Sequence, residues 1–207
     1  MIERPSRLQR IFAPGALWRM PAEPGSNCIY LTFDDGPIPE VTPWVLNLLA
    51  DYDIRATFFM VGDNVRRYPH LFEQIKAAGH SYGNHTMHHL KGLFTPTDCY
   101  VADVAEAHAL IKSPLFRPPH GLLRRSQAYG LASAHRLVMY DLVTRDYSRR
   151  LTADDVIANV KRFSRPGSII VFHDSLKSWP RLQRALPESI EWLKNQGYEF
   201  RHIPMLP

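Results

Sequence analysis

The sequence predicts an α/β fold built on a parallel sheet, open or closed into a barrel, and two observations carry that prediction. Seven short apolar segments alternate with segments of helical periodicity along the 207 residues, the pattern of repeated strand–helix units. Four clusters of reactive side chains each fall directly behind a predicted strand, where parallel α/β folds gather their function. Seven units is one short of the eightfold barrel.

The first strand is predicted over Cys28-Ile29-Tyr30-Leu31-Thr32-Phe33. A helix follows from about Thr42 to Tyr52, because Val45, Leu46, Leu48 and Leu49 recur at helical spacing. Ala56 to Val61 is β-rich and gives the second strand. Pro69 to Ala78 places Leu71, Phe72 and Ile75 on one side of a helix that Gly79 stops. A short third strand runs from His80 to Gly83, and the alanine-rich stretch Asp98 to Lys112 is helical. Leu115-Phe116 is the fourth strand, Ser126 to Ala134 a helix, and Arg136 to Leu142 the fifth strand. Thr152 caps a helix ending at Phe163, with Asp155 three residues on completing a capping box. Ser168 to Phe172 is the clearest buried strand. Arg181 to Gln196 is a helix ended by Gly197, and Tyr198 to His202 the last strand.

The chain length fits one domain with a substantial core. The division predicted is an N-terminal extension, residues 1–26, packing on a barrel formed by residues 27–207. A hydrophobic fraction of 45% and a charged fraction of 22% are those of an ordinary globular protein. The 17 prolines and 11 glycines are dispersed, which argues against disorder. No apolar run is long enough to span a membrane, and Met1 to Met20 lacks the pattern of a secretory signal. A cytoplasmic, monomeric protein is the expectation, with export if a leader precedes this sequence. The net charge of +5 comes from scattered doublets such as Arg66-Arg67 and Arg149-Arg150, so no nucleic-acid partner is expected. Cys28 and Cys99 read as two buried small hydrophobes.

Asp34-Asp35-Gly36-Pro37 follows the first strand, His85-Thr86-Met87-His88-His89 the third, Arg117-Pro118-Pro119-His120-Gly121 the fourth and His173-Asp174 the sixth. Parallel strands bring all four to one rim. Two adjacent carboxylates repel unless their roles are separated, as when one binds a metal and the other stays a base. A solvated turn also favours Asp-Gly-Pro, but it needs no pair of acids behind an apolar strand. His85 and His89 are four apart, so one helical turn puts them on one face while His88 points elsewhere. Two imidazoles and a carboxylate suit Zn²⁺ with a position left open.

These four segments, with Thr32-Phe33 and Val171-Phe172 at their flanks, resemble the successive motifs of the polysaccharide deacetylase (NodB-homology) family, carbohydrate esterase family 4. The resemblance runs from about Ile29 to Phe200. It implies a distorted seven-stranded (β/α) barrel, a divalent cation (Zn²⁺ first, with Co²⁺, Ni²⁺ or Mn²⁺ as substitutes) and removal of acetyl groups from N-acetylated sugars. It assigns Asp34 as the base, Asp35, His85 and His89 as metal ligands, Arg117 as the partner of the base, and His173 as the acid. Asp146 stands where the family supplies a carboxylate that tunes this acid, and the His120 N–H where it supplies an oxyanion donor. The structural alternatives are a surface arginine at 117, a core histidine at 173 and a loop cap at 146. His70, His80, His108, His135 and His202 read as structural or solvated.

Three positions depart from the family pattern and place the substrate in question. His120 stands in place of the usual Tyr, Tyr147 in place of Trp, and Phe172 in place of Leu, where it is expected to narrow an acetyl-sized pocket. These departures keep two alternatives open: a metal-dependent hydrolase of a small non-sugar amide or cyclic imide, and a carbohydrate-binding barrel without turnover.

Overall fold

The structure, a computed structural model, describes residues 3–22 and 25–205. Its strands are β1 (Cys28–Asp34), β2 (Thr57–Met60), β3 (Ser81–Asn84), β4 (Leu115–Phe116), β5 (Arg136–Leu137), β6 (Leu142–Val143), β7 (Ile169–His173) and β8 (Glu199–Phe200). They run in the order β5-β4-β3-β2-β1-β7-β6, with β8 beside the start of β1, and every pairing is parallel.

The eighth strand exists because the fifth predicted segment is divided. β5 pairs with β4 and β6 with β7, at opposite ends of the strand order. Between them the Val138 N–H donates to the Phe116 carbonyl at 2.8 Å and the Asp141 N–H to the Ile169 carbonyl at 3.0 Å. One bent segment therefore serves both edges and closes a distorted barrel, which leaves fewer unpaired strand groups. Leu17 enters the seam: its N–H donates to Leu137 and its carbonyl accepts from Met139, both at 2.8 Å.

The helices are α1 (Arg7–Phe12), α2 (Thr42–Asp51), α3 (Gly62–Arg67), α4 (Pro69–Ala77), α5 (Thr97–Ile111), α6 (Arg125–Leu131), α7 (Ala153–Phe163) and α8 (Trp179–Asn195). Periodicity anticipates all but α1 and α3, six residues each and too short to show a helical repeat. The capping box of α7 is present: the Asp155 N–H donates to Thr152 Oγ1 at 3.2 Å, and the Thr152 N–H to Asp155 Oδ2 at 2.8 Å. No helix among the described residues is long and apolar enough to cross a membrane. Cys28 is buried, but Cys99 is exposed on α5, contrary to its reading as a core residue.

Strand alternation sorts side chains between two environments. Ile29, Leu31, Phe33, Phe58, Met60, Ile170 and Phe172 face the helix layer and share one core with Leu182, Leu186 and Ile190 of α8. Tyr30, Phe59, Leu115, Val138 and Ile169 form a separate apolar cluster inside the barrel. Phe33 stacks on Phe58 at 5.0 Å and on Phe172 at 6.2 Å between ring centroids. Phe33→Ala is expected to lower unfolding free energy by about 3–5 kcal/mol, from lost burial and the cavity left. A urea titration checks this; a loss of under ~1 kcal/mol would show that the helix layer does not pack on that ring.

Candidate metal centre and active-site pocket

Asp34 ends β1 and His173 ends β7, in register on neighbouring strands. Plain alternation would send Asp35 to the opposite face from Asp34. Instead Asp35 takes a φ of 81°, a left-handed conformation that Asp tolerates better than most residues, and the chain turns so that both carboxylates face the rim. The Asp35 carbonyl accepts from Asn64 Nδ2 at 2.8 Å. Gly36 is required next: a Cβ there would lie 2.0 Å from Asp174 Oδ2. Asp174 is buried and accepts from the Gly36 N–H at 3.1 Å and the Thr42 hydroxyl at 2.6 Å. Burial pushes its carboxyl up to about 8, so it serves as a bracket under the turn and carries little charge at neutral pH.

His85 and His89 do not share a helical turn, as their spacing suggested. Residues 85–90 form a loop behind β3, with φ of 66° at Thr86 and 55° at His89. The loop nevertheless brings the two rings to 5.2 Å between centroids. His89 Nε2 lies 3.1 Å and His85 Nε2 3.7 Å from Asp35 Oδ1, and one donor atom from each of the three residues lies within 4.8 Å of the others. His85 Nδ1 faces the Arg117 carbonyl at 2.8 Å. A carbonyl only accepts, so the proton sits on Nδ1 and the Nε2 lone pair is free. Burial holds the His85 imidazole down at about 4, hence neutral. Burial alone would raise the Asp35 carboxyl, but the His89 hydrogen bond and the charge of His173 outweigh it and keep it ionised. Two imidazoles and one carboxylate, with a second contact orienting the His85 ring, fit a divalent cation of the Zn²⁺ type.

Two charge pairs flank this donor set. Arg117 is 1% exposed and its Nη1 donates to Asp34 Oδ1 and Thr32 Oγ1, both at 2.7 Å. Its Nε and Nη2 donate to the Val138 and Met139 carbonyls at 3.2 and 2.9 Å, and its guanidinium lies 4.0 Å over the Phe59 ring. Opposite, His173 Nδ1 meets Asp146 Oδ1 at 2.7 Å, and the His173 N–H donates to Asp146 Oδ2 at 2.8 Å. Burial alone would lower His173; the charge and hydrogen bond of Asp146 outweigh it and, with Asp35 and Asp34, lift the imidazole to about 9. Nε2 of His173 thus carries a proton at neutral pH.

These groups line a pocket of about 380 Å³ with Tyr140, Val143, Tyr147, Val171 and Lys177. His120 takes a φ of 61° and packs its ring edge-on to His89 at 4.9 Å. The hydrogen bonds closing its turn are donated by Gly121 and Leu122, so the His120 N–H is not used in closing it. The Tyr147 ring stands edge-on to His173 at 4.8 Å, with Lys177 Nζ 5.5 Å above its face.

Nine of the ten site residues expected from sequence meet here: Asp34, Asp35, His85, His89, Arg117, His120 and His173, with Asp146 behind His173 and Tyr147 in the wall. Phe172 does not. It is fully buried in the core beneath the helices, because one residue before inward-facing His173 a strand points outward; Val171 supplies the wall instead. Tyr140, Lys177, Thr32 and Asp174 were not anticipated as site residues. Asp174 and Thr32 carried a signal, the one beside His173 and the other in the flank of the Asp34-Asp35 motif.

Fold and rim together define an α/β-barrel protein whose site is assembled from strand ends. A sequence model of the family described as polysaccharide deacetylase matches residues 22–136. A peptidoglycan-N-acetylglucosamine deacetylase of Bacillus cereus is 33% identical over 191 residues, covering 88% of each chain. A chitooligosaccharide deacetylase of Bradyrhizobium sp. is 32% identical and covers 88% of this chain and 91% of its own. The crystal structure of a peptidoglycan N-acetylglucosamine deacetylase, in complex with 4-naphthalen-1-yl-N-oxidanyl-benzamide, superposes with a TM-score of 0.85 at 27% identity, covering 98% of this chain and 96% of that one. This chain belongs to the polysaccharide deacetylase family.

Removing Arg117 would leave Asp34 as an uncompensated buried charge. Arg117→Met is expected to cost about 3–5 kcal/mol of stability, measured by urea unfolding; an unchanged midpoint would mean the guanidinium does not hold the barrel interior. The His173 pair gives a separate signature in metal-free protein. Its folded pKa of about 9 exceeds the ordinary 6.5, so its contribution is complete below pH 6.5 and lost as pH rises through about 9. The unfolding midpoint should fall across that window, and Asp146→Asn should flatten the fall. Equal slopes in both proteins would exclude the pair as its source.

Proposed function

We propose that this chain is a divalent-metal-dependent N-deacetylase acting on an N-acetylated sugar, oligosaccharide or polysaccharide. The observation that carries the reading is the pair of opposite polarity around one donor set: Asp34 held by Arg117 on one side, His173 held by Asp146 on the other. The relatives' activities on N-acetylated glycans support the substrate class.

Asp35, His85 and His89 would hold the cation, which when bound supplies Lewis acidity toward an acyl oxygen and a water. Asp34 is held and aimed by Arg117, and takes the proton from the attacking water. The substrate carbonyl becomes a tetrahedral oxyanion, toward which the His120 N–H donates. His173 gives its proton to the departing nitrogen, a necessary step because an unprotonated amine leaves poorly. Tyr147 and Val171 keep the face of the acid apolar, and the pocket is of a size for a small acyl group beside a sugar ring. An N-hydroxy amide of the kind bound in the similar structure offers two adjacent oxygens to a cation, which accords with the same donor set here.

Purified protein should release acetate from N-acetylglucosamine oligomers, lose this activity on chelation and regain it with Zn²⁺. Asp34→Asn and His173→Gln should each lower kcat by about 10²–10⁴-fold while oligomer binding persists. Turnover that is indifferent to chelators would overturn the reading. Oligomer binding without any turnover would favour a binding barrel, and hydrolysis only of small amides or cyclic imides would move the substrate class. The acid also sets a pH limit: kcat should decline as pH rises through about 9, where His173 gives up its proton. A flat profile to pH 10 would remove His173 from the proton transfer.

A further inference from the structure

The loop that carries His89 has no helical ladder of its own, yet its backbone is held from outside at consecutive residues. Asp103, on α5 and buried, accepts from the Met87 N–H at 2.7 Å and the His88 N–H at 3.2 Å through one carboxylate oxygen. Its other oxygen meets His88 Nδ1 at 2.6 Å. Next to it in sequence, the Val104 carbonyl accepts from Asn84 Nδ2 at 2.9 Å, and Asn84 Oδ1 accepts from the Thr86 N–H at 2.8 Å. From the other side Gly62 and Asp63 at the start of α3 donate to the Thr86 and Met87 carbonyls at 2.9 and 3.0 Å. Within this clamp Thr86 and His89 keep positive φ, a conformation that persists in non-glycine residues only when the surroundings over-determine it.

We propose that Asp103 is a positioning residue for the metal centre: its carboxylate supplies the hydrogen bonds that a helix would have given the 86–89 segment, and so holds His89 within reach of Asp35 and His85 before a cation arrives. Asp103 touches neither a metal ligand's side chain nor the pocket. It acts through the backbone N–H groups of the two residues between Thr86 and His89, and the exposed His88 ring closes its remaining oxygen. Without these bonds the buried Met87 N–H and the part-buried His88 N–H lose their acceptor, and the strained turn can relax away from the ligand geometry. The inference rests on the metal-dependent reading of the site and adds a residue of a different helix to it.

The test is Zn²⁺ affinity, measured by competition titration with a chromophoric chelator on wild type, Asp103→Ala, Asp103→Asn and His88→Ala. Asp103→Ala should weaken Zn²⁺ binding by about 10–100-fold, the range for outer-shell support of metal ligands, and its lost activity should return at high Zn²⁺. His88→Ala keeps the two backbone bonds and should bind within a few-fold of wild type. Asp103→Asn retains one acceptor and should lie between wild type and Asp103→Ala. Equal affinity of wild type and folded Asp103→Ala would overturn the inference, as would a His88→Ala loss matching that of Asp103→Ala. Should Asp103→Ala fail to fold, Asp103→Asn decides: an affinity equal to wild type assigns Asp103 to folding alone and overturns the positioning role. A wild type that takes up no Zn²⁺ would instead remove the metal reading itself, and this inference with it.

Discussion

A single buried guanidinium ties the closure of the barrel to the geometry of its site. Arg117 donates to Asp34 and Thr32 from β1 and to the carbonyls of Val138 and Met139, the segment that bends across the seam. Its own carbonyl faces the Nδ1 proton of His85. A charge so deeply desolvated is tolerable only when its hydrogen-bond donors are matched by acceptors, and here the acceptors come from both sides of the seam. Sliding the seam by one residue would strip Arg117 of two carbonyls and tilt Asp34 and His85 together. The stability of closure and the alignment of the rim are therefore one constraint.

The rim also concentrates backbone strain. Among the described residues, five of the seven non-glycine residues at positive φ, namely Asp35, Thr86, His89, His120 and Arg145, lie in the loops behind strand ends that form or adjoin the site. Four of the five are braced from elsewhere: Asp35 by Asn64 and the Gly36–Asp174 contact, Thr86 and His89 through the hold of α5 and α3 on their turn, and Arg145 by a 2.6 Å pair with Glu3. Strain of this kind is affordable where neighbours hold it and where it aims donors at one point. It also explains why the helices bordering the rim carry buried polar groups that do not touch the pocket.

The strand–helix alternation and the strand-end clusters were legible because both follow from short-range patterns: a period of two or 3.6, and motifs within five residues. What was not legible depends on chain geometry beyond that range. The His-x-x-x-His spacing suggested a helical turn, but β3 ends at Asn84 and a positive φ at Thr86 starts a loop; spacing alone does not distinguish the two. The place of Phe172 follows from strand parity, since alternation from an inward His173 sends it outward whatever a family position implies. The division of the 136–142 segment, the seam contact of Leu17 and the Gln9 Nε2 bond to the Tyr140 hydroxyl at 3.3 Å are long-range. Asp103 sits on an alanine-rich helix as one acid among several, with nothing in its neighbours to single it out.

The separation of acid from base follows from the same architecture. Asp34 and His173 are cross-strand neighbours, and left to each other they would form one ion pair and cancel. Each is instead committed to a partner on its far side, Asp34 to the Arg117 guanidinium and His173 to the Asp146 carboxylate. The guanidinium holds and aims Asp34 while the Asp146 carboxylate keeps a proton on His173, so base and acid stay apart and each is oriented for its role. Because the partners lie in the barrel interior and behind β7, the faces turned toward the pocket remain free. A parallel barrel permits this arrangement readily: adjacent strand ends converge on one cavity, while the residues behind them belong to different layers.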